Sequence, residues 1–275
     1  WTKGREVPLH RLINHQAEGL DYLTEQDKAA LAGAQKNGRY YYDYAYRLDP
    51  GRALEALVGH PNVFWEDRPH VPVEIVRGTP EVHIAPRKGQ LSIGMDPYPP
   101  PDFEGRLRTT CIIKEAPTRL RVIVFEPLHM KMAEILGPEG LAVPESRSTD
   151  ALARLQGLSR HIAIQSNVAL AGTEVETVEP DCRPRLRLLR LEQGLQAEMV
   201  VVPLGGQSQR SFTPGLGNAH LIESEAGKTL GTQRRLKEEA EQADKAIETV
   251  ARLEEAENGD YTWVFDNPQE ALELL

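Results

Sequence analysis

Cysteine is scarce in this sequence, and its scarcity excludes two kinds of stabilisation. The 275 residues include two cysteines, Cys111 and Cys182, which lie far apart and belong to no CxxC pair. A zinc site built from cysteines and a disulfide framework are therefore excluded, and we expect a cytoplasmic protein. The chain also lacks an uninterrupted apolar run of roughly 18 residues, so we expect no membrane partner.

The sequence has fewer basic residues than acidic ones. Acidic residues number 41 and basic residues 32, which gives a formal net charge of −9. This balance argues against a protein that coats nucleic acid by charge alone, although it allows a local basic patch.

Catalytic signatures are missing as well. The sequence has no GxxxxGK[ST] phosphate loop, no HExxH and no GxSxG. The histidines are scattered, and His60, His70 and His83 lack the carboxylate spacing of a metal site. We therefore predict no catalytic residue, no cofactor site and no metal ligand in this chain, and we leave open whether the whole protein is an enzyme.

Alternating apolar and polar residues predict β-hairpins. Residues 82–95 place Val82, Ile84, Leu91, Ile93 and Met95 on one side of a hairpin that turns at Lys88-Gly89. A second hairpin is predicted in "TTCIIKEAPTRLRVIVFEP". A helix follows it, with Pro127 at its first position and Gly137 past its end.

The order helix, strand, hairpin, hairpin, helix occurs twice, about 100 residues apart. In the later occurrence we predict a hairpin turn at Gln193-Gly194 and a long helix over 232–257. We infer an internal duplication and an α+β fold: two related units of mostly antiparallel sheet with packed helices, preceded by a helical segment. The predicted boundaries are 1–48, 49–147, 148–257 and 258–275, and the last piece suggests a fragment of a longer protein.

The amino-terminal segment combines helix signals with a tyrosine-rich strand. Residues 1–37 are predicted to be helical, with Thr24 as an N-cap that Asp27 supports, and Gly38 is predicted to end the helix. In the strand that follows, Tyr40, Tyr42, Tyr44 and Tyr46 share one face. These rings could stack bases, but we favour packing against a neighbouring helix, because few basic residues accompany them.

An arginine row begins the hairpin "RPRLRLLRLEQGLQAEMVVVP". Leu186 and Leu188 alternate with Arg185 and Arg187, so we expect the leucines to be buried and the arginines to lie on the solvent side. We favour a solvated face over a phosphate contact. The candidate nucleic-acid contacts are nonetheless Arg119, Arg121, Arg183, Arg185, Arg187, Arg190, Arg234, Arg235 and Lys237.

Several stretches carry a family resemblance, among them "ALEALVGHPNVFWED", "RLRVIVFEPLHMKMAEILG", "FTPGLGNAHLIESEAGKTLGTQRRL" and "DNPQEALELL". Together they resemble the amino-terminal accessory region of large bacterial Swi/Snf-type DEAD/DEAH-box helicase-like proteins. The resemblance implies that the full-length parent is an ATP-dependent helicase whose motor binds ATP and Mg²⁺ outside this chain. No motor residue lies in this sequence, so no functional residue can be transferred.

Two functional hypotheses follow. In the first, the chain is a non-catalytic accessory module that positions DNA or regulates the motor, and it contacts other parts of the same parent. In the second, it is a protein-interaction scaffold without nucleic-acid contact. Basic side chains that converge in space would favour the first hypothesis, whereas carboxylates interleaved among them would favour the second.

Overall fold

The computed structural model describes residues 12–13, 23–37, 45–169, 175–208, 210–225, 228–250, 252–253 and 261–274. Contacts divide the chain into two units, the first of residues 1–78 and 100–124 and the second of residues 79–99 and 125–275. Helices accompany mostly antiparallel sheets, so the predicted α+β fold is confirmed. None of the helices that the structure describes is both long and apolar enough to cross a membrane.

Helices and strands are numbered here in chain order. The helices are α1 (Glu25–Ala32), α2 (Pro50–Ala56), α3 (Pro127–Leu136), α4 (Ser148–Gln156), α5 (Leu236–Glu248) and α6 (Pro268–Leu274), with 3-10 turns at Glu145–Arg147 and Gly205–Gln207. The strands are β1 (Ala34–Asn37), β2 (Ala45–Leu48), β3 (Phe64–Trp65), β4 (Arg68–Pro72), β5 (Glu74–Gly78), β6 (Glu81–Arg87), β7 (Gln90–Asp96), β8 (Thr110–Ala116), β9 (Arg119–Val124), β10 (Leu141–Pro144), β11 (Ala163–Ser166), β12 (Glu176–Thr177), β13 (Arg185–Leu191), β14 (Gly194–Val200), β15 (His220–Glu225), β16 (Lys228–Gln233) and β17 (Thr262–Phe265).

In the first unit, α1 begins at the predicted capping box, in which Thr24 and Asp27 exchange hydrogen bonds. The helix ends at Ala32 rather than near Gly38, so the predicted end is wrong. Residues 34–37 instead pair with β2, and this pairing outweighs the high helix propensity of Ala34, Gln35 and Lys36. The predicted aromatic face of Tyr40, Tyr42, Tyr44 and Tyr46 lies outside the described residues, apart from the backbone of Tyr46 in β2.

A three-stranded sheet forms the centre of the first unit, in the order β5-β9-β8. The predicted β8–β9 hairpin is confirmed, and β5 lies parallel to β9. Ile75 on β5 and Val122 on β9 are almost fully buried. Apolar side chains of adjacent strands thus supply the core of this unit.

A seven-stranded sheet forms the larger part of the second unit, in the order β10-β7-β6-β11-β15-β16-β12. The predicted hairpin β6–β7 contributes two of its strands, and Lys88 and Gly89 turn between them with positive φ values of 47° and 77°. All five apolar residues predicted on one side of this hairpin are buried. The helix α3, which starts at Pro127 and ends before Gly137 as predicted, contacts β7.

The third sheet, β13-β14-β17, packs against α5. Ala197, Met199, Trp263 and Phe265 form its buried side together with Ala243 of the helix. The helix begins at Leu236 and not at Thr232, because residues 228–233 form β16 and pair with β15. The predicted start of the long helix is therefore wrong.

The leucines of β13 do not reach the core as predicted. Leu186 and Leu188 pair with Met199 and Ala197 and so face the helix-covered side, yet each leucine is 38% exposed. Within the described residues β13 pairs with β14 alone and lies at the edge of the sheet, where the helix covers it incompletely. Leu189, on the opposite side, is the buried leucine of this strand at 4% exposure.

The two segments of the inferred duplication share their order of elements but not their pairing. The leading strand β5 lies parallel to β9, whereas its counterpart β11 lies antiparallel to β15. The hairpin β6–β7, which the sequence places in segment 49–147, joins the second unit because β6 pairs with β11. The two segments therefore have different strand topologies, and the structure does not support the inferred duplication.

The turn of the β13–β14 hairpin lies one residue earlier than predicted. Leu191 pairs with Gly194, so Glu192 and Gln193 form the turn and Gly194 begins β14. A Cβ on Gly194 would lie 1.8 Å from the carbonyl oxygen of Phe265. The close approach of β17 therefore requires a glycine here, and the positive φ of 146° also favours one.

Candidate functional site

Arg183 and Arg185, the first two members of the arginine row, both bind Asp181. Arg183 Nε donates to Asp181 Oδ1 at 2.8 Å, and Arg185 Nη2 donates to Asp181 Oδ2 at 3.2 Å. The hydrogen bonds from Arg183, which outweigh the opposing effect of burial, hold the pKa of Asp181 well below its usual range. The carboxylate is therefore ionised at neutral pH and neutralises part of the row.

Arg187 is half-buried instead of lying free on the solvent side. Its Nε donates to Glu198 Oε2 at 2.8 Å, and its Nη1 donates to Ser211 Oγ at 3.1 Å. Glu198 stands directly opposite on β14. Arg190 is exposed on the same strand. At least three of the four arginines thus form ion pairs, one of them across the strands, and the row is not an open cationic surface.

The two candidate arginines of the first unit have acidic partners too. Arg119 Nη1 lies 2.7 Å from Glu74 Oε2, and Arg119 Nε lies 2.9 Å from Glu115 Oε2. Arg121 forms an ion pair with the same Glu115. Two arginines and two glutamates therefore form one neutral cluster on neighbouring strands.

The last three candidates differ in exposure. Arg234 has no exposed side-chain surface and pairs with the equally buried Glu239, so it is no candidate for a phosphate contact. Arg235 lies on the surface and pairs with Glu179 at 2.5 Å. Lys237 is 92% exposed, with Glu241 one helical turn away at 3.8 Å. Carboxylates thus accompany these basic side chains, which is the arrangement that favours protein contact over DNA contact.

A polar cluster that the sequence did not predict lies on the seven-stranded sheet. Glu81 and His83 extend from one side of β6, and Asp96 pairs with Glu81 across the hairpin. One ring nitrogen of His83 and one carboxylate oxygen from each acidic residue lie within 4.8 Å of one another. The predicted turn at Lys88-Gly89 fixes this register, so the pairing rather than the linear spacing could have revealed the group.

Further polar side chains complete this cluster. His83 Nε2 and Glu81 Oε1 are 2.9 Å apart, and Asn218 Nδ2 lies 3.2 Å from His83 Nδ1. The hydrogen bond to Glu81, opposed by burial, raises the pKa of His83. Arg210 forms an ion pair with Glu81 and a second one with Glu223. The arrangement offers one imidazole and several carboxylate oxygens to a ligand.

Comparisons of the chain with protein-family models, with characterised proteins and with solved structures find no match.

Proposed function

We propose that the chain is a non-catalytic accessory module of a Swi/Snf-like ATP-dependent DNA translocase, and that it regulates the motor through protein contacts in the cytoplasm. The sequence resemblance supports the family. The ion pairs support contact with protein over contact with DNA. In each of them a carboxylate of the same unit neutralises a basic side chain that could otherwise bind a phosphate. ATP and Mg²⁺ would bind in the parent motor, outside this chain.

The physical reason lies in how proteins bind DNA. Affinity for the phosphate backbone comes from cationic side chains that release condensed counterions. To bind a phosphate, Arg187 would first have to break its ion pair with Glu198, and Arg185 would have to break its ion pair with Asp181. The formal net charge of −9 adds a general repulsion. Phosphate contact by these arginines therefore has an electrostatic cost that contact with a protein surface avoids.

DNA positioning is the second candidate function, and one observation favours it. The side chain of Arg183 is 80% exposed although it binds Asp181, so one of its edges is open to a phosphate. Titration of labelled duplex DNA at about 50 and 200 mM salt, with wild type and the Arg183→Ala/Arg185→Ala variant, separates the two functions. We expect weak binding that is the same in both proteins. Wild-type binding whose salt slope drops by about one per removed arginine would support DNA positioning instead.

The family assignment has its own test. We expect the coding sequence beyond the codon for Leu275 to encode a GxxxxGK[ST] phosphate loop. ATP hydrolysis by that motor, with and without the present segment, then measures regulation directly. Absence of a phosphate loop would favour the interaction scaffold, which needs no motor. An ATP hydrolysis rate that is the same with and without the segment would contradict the regulatory role.

A further inference from the structure

The cluster of Glu81, His83 and Asp96 has the composition and spacing of a metal site. Its three potential ligand atoms lie within 4.8 Å of one another. Glu81 and His83 are two residues apart on β6 and therefore share one side of the strand. Asp96 stands opposite Glu81 in the antiparallel register, so the backbone of the hairpin holds all three residues in place.

The charged side chains around the cluster leave an excess of negative charge that a divalent cation would neutralise. Carboxylates that face each other directly across an antiparallel pair destabilise the sheet unless a cation lies between them. Glu81, Asp96 and Glu223 supply three negative charges, and Arg210 supplies one positive charge. The group therefore carries two excess negative charges while His83 is neutral.

Arg210 binds one of the two carboxylate oxygens of Glu81. Its guanidinium binds Oε2 of Glu81, whereas His83 Nε2 lies beside Oε1. Glu223 and Thr79 hold Arg210 in this position. The arginine can thus orient the glutamate from outside the group while Oε1 binds a cation.

A histidine that binds a metal usually donates its second ring N–H to an acceptor, and the Asn218 amide lies beside that nitrogen of His83 with its own nitrogen facing the ring. Asn218 Nδ2 lies 3.2 Å from Nδ1 and 3.4 Å from Gln165 Oε1. Half-turns of the Asn218 and Gln165 amides together would place the Asn218 oxygen against Nδ1–H and keep a hydrogen bond between the two amides. With the single proton of the neutral imidazole on Nδ1, Nε2 presents a lone pair toward Glu81.

The site also has room for an ion and its water. Gly94 stands opposite His83 on β7, and a Cβ built there would meet no atom within 4 Å. Asp96 is exposed, while the side chain of Glu81 is 15% exposed. One flank of the group is therefore open to solvent and the other is held within the sheet.

We propose that Glu81, His83 and Asp96 bind a divalent transition-metal ion of the zinc class. One imidazole nitrogen and two carboxylate oxygens are a donor set that suits Zn²⁺ better than Mg²⁺, which prefers oxygen ligands alone. Three protein ligands leave a fourth tetrahedral position for water. The site is independent of the proposed function, because none of its residues is among the candidate nucleic-acid contacts.

Calorimetric titration of the full chain with Zn²⁺ tests the site. We expect one ion per chain in wild type and in His161→Ala, a control that removes an exposed imidazole elsewhere. Binding should weaken at least roughly tenfold in His83→Ala and in Asp96→Asn. Asp96→Asn preserves shape at an exposed position, so it should leave the circular dichroism spectrum unchanged.

Asn218→Ala tests the orienting role of the amide. Its Zn²⁺ affinity should fall about 10- to 100-fold, as is typical when the partner of a ligating histidine is removed. Saturable binding that is equal in wild type, His83→Ala and Asp96→Asn would overturn the proposal, and so would the absence of Zn²⁺ binding by wild type. A loss of binding confined to His161→Ala would place the ion at another histidine and overturn it as well.

Discussion

The guanidinium of Arg234 and the carboxylate of Glu239 form a bidentate ion pair in the interior of the second unit. Their N–O distances are 3.1 Å and 2.6 Å, and neither side chain is exposed. Arg234 also donates to the carbonyl oxygens of Thr213 and Leu216, while Glu239 accepts from the N–H of Gly215. The pair therefore fastens the glycine-containing loop of residues 213–218 to the start of α5.

Glu239→Ala should lower the free energy of unfolding by about 3–5 kcal/mol, because it leaves a buried guanidinium without its counter-charge. The matched control is Glu238→Ala, which removes a partly exposed glutamate from the same helical turn and should cost at most about 1 kcal/mol. Urea unfolding of both variants gives the comparison. Equal losses in the two variants would contradict a special role for the buried pair.

Local patterns predicted the hairpins, because alternation and turn residues act within about 15 residues. The hairpin β6–β7 follows its predicted register from Arg87 and Gln90 at the turn to Glu81 and Asp96 at the far end. The pairing of β6 with its other neighbour, β11, could not be predicted from such local patterns. Strand β11 lies about 80 residues away in sequence, and its pairing is set by burial of apolar faces that many registers could satisfy.

The site residues illustrate the same limit. Arg234 precedes two surface residues, Arg235 and Lys237, and its sequence neighbourhood therefore indicates an exposed basic patch. Its burial depends on the loop that folds over it and on Glu239, neither of which is a local pattern. His83, by contrast, could have been connected to Asp96 through the predicted hairpin register.

Two glycines with positive φ should respond differently to alanine. Gly89→Ala should cost about 1 kcal/mol, since the added Cβ meets open space and only the left-handed backbone is strained. Gly194→Ala should cost more than about 3 kcal/mol, because its Cβ would overlap the carbonyl oxygen of Phe265. Thermal unfolding measures both changes. A smaller loss for Gly194→Ala than for Gly89→Ala would refute the close approach of β14 and β17.

The leucines of β13 should differ in their contribution to stability. Leu189→Ala should cost about 2–5 kcal/mol because Leu189 is buried. Leu188→Ala should cost roughly 1 kcal/mol, since this side chain keeps 38% of its surface exposed. Chemical unfolding of the two single variants tests the edge position of the strand. The opposite ranking would mean that β13 is covered in solution.

Acid should weaken the fold through Asp181. The hydrogen bonds from Arg183 outweigh the effect of burial and lower the pKa of this carboxyl below the unfolded-state value of 3.8. A carboxyl whose folded pKa is depressed stabilises the fold above its unfolded pKa, and this stability is lost as the pH falls toward the folded pKa. Asp181→Asn removes the titration, so its urea midpoint should fall less steeply than that of wild type below about pH 3.8. The two proteins should have parallel pH profiles above about pH 5, where the wild-type carboxylate is ionised in both the folded and unfolded states. Identical slopes below pH 3.8 would show that the interaction of Asp181 with Arg183 and Arg185 contributes nothing to stability.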